Sequence, residues 1–221
     1  AGIGSEGSAE GNAGSVVIRT ALLDLREGTI HSRTEGSGAG GDIVIEVGRL
    51  RMAPSANSPS VIDTDSEGTG KGGTLRITAS ESVIIEGVNA SFYPTGLSSQ
   101  ARGAGDAGDI VIRTPVLLMS GGAQILTRTL SDGRGGDVQI EVDRLVLDSG
   151  SLIDSCTLLG QKPGGDLGGK GGVDAGHPLK TFRVQWSGRV DVHFCEYAPC
   201  VEPVHVVLHI RLGRGVGRVT F

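Results

Sequence analysis

Aromatic residues make up only 3% of this 221-residue chain, so no large aromatic core can form, and Val, Ile and Leu must carry the burial. Three cysteines (Cys156, Cys195 and Cys200) are too few for a disulfide-dense scaffold. No apolar run approaches the roughly 18 residues a membrane helix needs. The net charge is −5 and no segment carries a basic stripe, which argues against nucleic acid as a partner. Also missing is a Met or a charged-then-apolar leader. The opening "AGIGSEGSAEGNAG" reads as mid-repeat material, and the chain is expected to be an internal fragment.

What the chain has in excess is glycine, 38 residues without a Gly-X-Y period, which sets collagen aside. Much of that glycine sits in one recurring phrase. "GGDIVIEVGRL" begins at residue 40 and "GGDVQIEVDRL" at residue 135, with "AGSVVIRTALL" from 13, "GGTLRITASESV" from 72 and "AGDIVIRTPVL" from 107. Internal repetition of this kind decides the fold before any motif does. The second small residue of each phrase is a marker: Gly14, Gly41, Gly73, Gly108 and Gly136, spaced by 27, 32, 35 and 28. A constant phrase at an unequal interval is one structural unit with variable loops.

Three alternating stretches follow each marker. The first runs Val16-x-Ile18, Ile43-x-Ile45, Leu75-x-Ile77, Ile110-x-Ile112 and Val138-x-Ile140. The second runs Leu23-x-Leu25, Leu50-x-Met52, Val83-x-Ile85, Leu117-x-Met119 and Leu145-x-Leu147. The third begins at Ile30, Ile62, Val88, Ile125 and Ile153, and places Ser32, Thr64, Ala90, Thr127 and Ser155 two residues on. Period two with β-branched residues predicts strands, and the recurring glycine excludes long helices.

Three short strands per unit, in fixed order, suit an all-β fold: a parallel β-helix of about five coils over residues 1–172. Its identical inward residues stack, and the inward Ser/Thr column is expected to exchange hydroxyl hydrogen bonds up the stack. The marker glycines are expected at sharp corners because glycine accepts positive φ. Coil ends expose strand edges, which predicts self-association.

The grammar stops near Gly172. Residues 173–221 form a C-terminal segment to which the repeat assigns no order. From residue 166 onward lie four of the five His, two of the three Cys, three of the four Phe and the only Trp. Such an abrupt change of usage is also what an out-of-frame translation produces. Cys195-x4-Cys200-x4-His205-x3-His209 has zinc-type ligands but not a finger's spacing, and on a strand the two His would lie about 13 Å apart. No metal is expected and no role is assigned to these residues, with a Cys195–Cys200 disulfide as an alternative.

Elsewhere the chemistry is sparse. Asp63 and Asp65 lie two apart on one strand face, in stacked register with His31 and Arg33, and read as an exposed charge ladder; a catalytic pair is the sharper alternative. The aspartates Asp42, Asp109 and Asp137 fit corner caps. Calcium coordination of the β-roll kind needs a nine-residue interval, absent here. "GKGG" at 70 and at 169 lacks the rest of a phosphate loop. Coil three carries the longest return, Tyr93 to Gly108. Phe92 is expected inward and Tyr93 solvent-facing, so Tyr93 and Arg102 are the candidate ligand-binding residues, through sugar stacking and carboxylate clamping.

The phrase "GGD-[IV]-x-I", followed by "L-x-L…G…I-x-[ST]-x-T" and a Gly-rich return such as "SDGRGG", resembles the passenger repeats of filamentous-haemagglutinin-type exoproteins of two-partner secretion systems, over about residues 10–172. The resemblance implies a right-handed β-helix, export past an outer-membrane two-partner transporter, and secretion or residence at the bacterial cell surface. An adhesive role toward cell-surface glycans or proteins follows, with no enzyme activity and no cofactor. A β-helix polysaccharide lyase or hydrolase is the competing expectation.

Overall fold

A computed structural model of the chain describes residues 2–8, 10–87, 93–131, 133–147 and 150–157, together with three further strand backbones between residues 186 and 220. In chain order the strands are β1 (Gly2–Gly7), β2 (Val16–Arg26), β3 (Thr29–Thr34), β4 (Ile43–Ala53), β5 (Val61–Asp63), β6 (Leu75–Glu86) and β7 (Gly96–Ala101). They continue with β8 (Ile110–Ser120), β9 (Gln124–Thr129), β10 (Val138–Leu147), β11 (Leu152–Thr157), β12 (Trp186–Val192), β13 (Val207–Leu212) and β14 (Gly215–Thr220). No helix occurs among the described residues.

Odd-numbered strands from β1 to β11 pair in parallel as one six-stranded sheet, and β2, β4, β6, β8 and β10 pair in parallel as a second. The chain alternates between the two sheets, rising one level at a time. This is a β-solenoid of about five turns, the architecture the repeat predicts. In the tail, the backbones of β12, β13 and β14 extend the second sheet by antiparallel pairing from β10. Cys195, Cys200 and His205 lie outside the described residues, and His209 falls on the backbone of β13.

The inward ladders follow the predicted order. Ile45, Ile77, Ile112 and Ile140 are register partners in successive coils and have no exposed surface. Ile30, Ile62, Leu97 and Ile125 form the facing ladder, each at most 1% exposed. Burying a branched aliphatic side chain contributes about 1.5–3 kcal/mol, and each level adds several.

The coil departs from expectation at four points. The first and second stretches of each unit are not separate strands but one long strand with a bend. In β4 the buried positions run Ile43, Ile45, Val47 and then Leu50, Met52, so the alternation slips by one at the adjacent outward residues Gly48 and Arg49. Pairing to the next coil continues on either side of the slip, which is why no strand ends there. Pro115 sits at the corresponding bend of β8, where the register passes from Thr114 to Val116 and a missing N–H costs no ladder bond.

The third stretch of coil three is also elsewhere. Val88, Ala90 and Phe92 lie outside the described residues, and the ladder position assigned to them is filled by β7, with Leu97 between Ile62 and Ile125 and Ser99 beside Thr127. "GLSSQA" carries a single large apolar residue, so its pattern is weaker than that of the Val88 stretch. Stacking selects it nonetheless.

The marker glycines do turn the coil, but not through positive φ. Among the described glycines, positive φ occurs at Gly87, Gly121, Gly122 and Gly150, with Glu27 the non-glycine counterpart, all at the exit of the long strands. The markers are glycine for space. A Cβ on Gly108 would clash with the carbonyl of Gly73, and one on Gly136 with the carbonyl of Gly108. Successive returns lie backbone upon backbone, closer than any side chain permits.

The inward hydroxyls serve the same returns. Thr64 Oγ1 donates to the Gly73 carbonyl at 2.7 Å, Thr127 Oγ1 to Gly136 at 2.7 Å, and Ser32 Oγ to Gly14 at 2.8 Å. Ser99 Oγ accepts from the Gly108 N–H at 2.9 Å. Among the described residues the expected hydroxyl-to-hydroxyl ladder is therefore not what forms. Adjacent coils stand about 4.8 Å apart, too far for one hydroxyl to reach the next, whereas the glycine carbonyls are within reach.

Candidate functional site

The outward faces of the two sheets differ. On the second sheet, cross-coil ion pairs such as Arg19–Glu46 at 2.6 Å and Arg113–Glu141 at 3.1 Å join side chains about half exposed or more. Pairs in that setting contribute at most about 1 kcal/mol and assemble no site. The aspartates of the returns act as caps: Asp42 Oδ1 accepts from the Thr74 N–H at 2.8 Å, and Asp109 Oδ1 from the Asp137 N–H at 2.9 Å. These two returns each borrow a carboxylate from the coil before.

The outward face of the first sheet gathers the unusual chemistry. His31 is the register partner of Asp63, and Asp63 of Ser98. Two residues on, the bridges from Thr34 to Ser66 to Ala101 bring Arg33, Asp65 and Gln100 alongside one another. The stacked register of Asp63 and Asp65 is as predicted; their exposure is not. Asp63 is 5% exposed and Asp65 4%, so they form no solvated charge ladder. Flanking side chains are long where the carboxylates are short, and Arg33, Gln100 and Arg102 are grouped around them.

Burial dominates the electrostatics. It pushes the carboxyl of Asp63 up from the usual range, against the pull of Arg33 and His31. Asp65 is pushed up to about 6, first by burial and then by the charge of Asp63, with partial relief from the Gln100 N–H at 3.1 Å. Arg33 Nη2 stands 3.6 Å from Asp63 Oδ1, an ion pair too long to be a hydrogen bond. Arg33 also lies 3.9 Å from Glu67, and Arg102 lies 3.6 Å from the same carboxylate. One carboxyl of raised pKa beside another is an arrangement that can hold or pass a proton.

Of the two candidate ligand-binding residues, Arg102 belongs to this cluster through Glu67, and Tyr93 does not. Tyr93 is 64% exposed, as expected, but it precedes β7 while Arg102 follows it. A six-residue strand of about 17 Å separates the two positions, so the structure does not bring them together around one sugar-sized ligand. The segment from Tyr93 to Gly108 is accordingly not a single return loop. Its first three residues lead into β7, Gly96–Ala101, and the remainder is the return toward the second sheet.

A constant interval in the sequence marks this strand. Ser5, Ser32, Thr64 and Thr127 each precede a marker glycine by nine residues, and the same step back from Gly108 lands on Ser99. That step places Ser98, Gln100 and Arg102 beside Asp63, Asp65 and Glu67. Burial of the carboxylates had no such signal. Among the described residues no group of three or more His, Cys, Asp or Glu side chains is placed to hold a metal ion. Comparison with protein-family models, curated proteins and solved structures finds no match to this chain.

Proposed function

We propose that the chain is a stretch of a secreted or cell-surface adhesin-type exoprotein, working as an extended scaffold and not as a catalyst. The observation that carries this reading is where the repeated residues go. Marker glycines, inward hydroxyls, capping aspartates and aliphatic ladders all serve to set one coil on the next. A repeat whose fixed positions are spent on stacking, with outward positions free to vary, builds length and display surface. In this reading the parent protein passes an outer-membrane two-partner transporter, and its targets are glycans or proteins of a cell surface. Tyr93 and Arg102 then act as separate contacts, one at each end of β7.

A second reading rests on Asp63 and Asp65. Paired carboxyls, one with a raised pKa, are the equipment of glycoside hydrolysis, and this pair would make the chain a β-helix carbohydrate-active enzyme. Near-complete burial of both groups weighs against it, since a substrate must reach them.

The two readings separate in one experiment. The purified chain is applied to a glycan array and to whole cells, and in parallel incubated with neutral and uronate-containing polysaccharides. The scaffold reading expects retention on a surface, reduced by Tyr93→Ala or Arg102→Ala, with no new reducing ends or unsaturated uronates. Turnover abolished by Asp65→Asn would overturn it in favour of the enzyme.

A further inference from the structure

Asp63 and Asp65 stand in a setting that does not suit two negative charges. They lie two residues apart on one outward face, and both are more than nine-tenths buried. The charged and titratable groups facing them are few. The preceding coil supplies His31 and Arg33, with Glu6 standing 3.5 Å from His31. Their own segment supplies Glu67, and the following coil Arg102 beside the neutral Ser98 and Gln100. Three carboxylates thus share two guanidinium groups, and both guanidiniums also reach toward Glu67, the most exposed of the three. Asp63 Oδ1 has no hydrogen-bond partner, nor has Arg33 Nε, and both atoms are buried. Leaving a charged oxygen in that state is costly, and a proton removes the cost.

We propose that Asp63 and Asp65 are a proton-binding pair that retains one proton in the folded coil, so that the solenoid tightens in mild acid and loosens as the medium approaches neutrality. The sign follows from burial. In the unfolded chain both carboxyls titrate in the ordinary range near 4, whereas in the fold Asp65 is held at about 6 and Asp63 is also raised. The folded state therefore binds more protons between those values. The stabilising contribution is fully present below the unfolded value and is lost as pH rises through the folded one. An ion-paired carboxylate on the surface behaves in the opposite way.

The test is urea unfolding of the whole chain at pH 5.0, 6.0 and 7.5, for the natural sequence, Asp63→Asn and Asp65→Asn. It is paired with carboxyl-carbon NMR of aspartate-labelled protein, a label blind to His31. For a single carboxyl moved from 3.8 to about 6, the folding equilibrium is expected to be roughly tenfold more favourable at pH 5.0 than at pH 7.5. Asp65→Asn should flatten that dependence and raise stability at pH 7.5. One aspartate carboxyl should titrate near pH 6. Equal or greater stability at pH 7.5 in the natural sequence, or every aspartate carboxyl titrating below about 4.5, would overturn the proposal. Should the Asn variants fail to fold, the NMR titration of the natural sequence decides alone.

Discussion

Thr127 and Gly136, nine residues apart in the chain, meet across the interior of the coil, the threonine hydroxyl donating to the glycine carbonyl at 2.7 Å. Thr64 and Gly73 do the same two coils below, at the same interval and the same distance. This bond ties the first sheet to the return that follows it. Replacing Thr127 with Val keeps the shape and removes the donor, leaving the Gly136 carbonyl without that partner. The expected loss is about 1–2 kcal/mol by urea unfolding, with Thr127→Ser close to the natural protein. Equal stability of all three would show that the bond contributes nothing.

The glycine column predicts a steeper cost. Gly108→Ala sets a methyl group against the Gly73 backbone, which cannot move without parting two coils. A loss of about 3 kcal/mol or more is expected, at the upper end of single-site effects. Gly11→Ala is the control, because its nearest obstacle is the Ser8 carbonyl at 3.3 Å. Comparable melting temperatures for the two variants would mean that the returns are not tightly stacked.

Capping aspartates should tolerate the amide. In the first return Asn12 Oδ1 already accepts from the Ala39 N–H at 2.8 Å, in the role Asp109 plays toward Asp137. Asp109→Asn is therefore expected within about 0.5 kcal/mol of the natural stability, and Asp109→Ala about 1 kcal/mol below it. A large loss for Asn with none for Ala would reverse the assignment.

The aliphatic ladder is tested by charge. Ile112→Asp buries an unpaired carboxylate between Ile77 and Ile140 and is expected to cost several kcal/mol or to prevent folding. The matched outward change is Gln139→Asp, since Gln139 is exposed, whereas Val111, outward in pattern, is only 7% exposed. Circular dichroism melting of both variants gives the comparison; equal tolerance would place Ile112 outside the core.

Much of the coil was legible because its causes are local and repeated. Alternation over three or four residues gives strands, the phrase gives the number of turns, and Ile45, Ile77, Ile112 and Ile140 fall into line without knowledge of the loops between them. The bend in the long strand was legible as well, in the slip from Val47 to Leu50, though it reads equally well as a break between two strands. Coil three misled because a β-branched stretch at Val88 is a stronger local pattern than "GLSSQA". The nine-residue step to Gly108 was the better guide, being a contact across the coil and not a propensity.

Sequence alone therefore determined the solenoid, the aliphatic ladder of its long strands and, outside coil three, the facing ladder, since these depend on period and on the space glycine leaves. Only the tertiary structure decided that the marker glycines serve close stacking and not positive φ, and that inward hydroxyls bond to glycine carbonyls. It likewise decided that Asp63 and Asp65 are buried under Arg33, Gln100 and Arg102. Each of these depends on which residue of one coil lies against which of the next. That register is set by packing across loops of unequal length, and no local pattern records it.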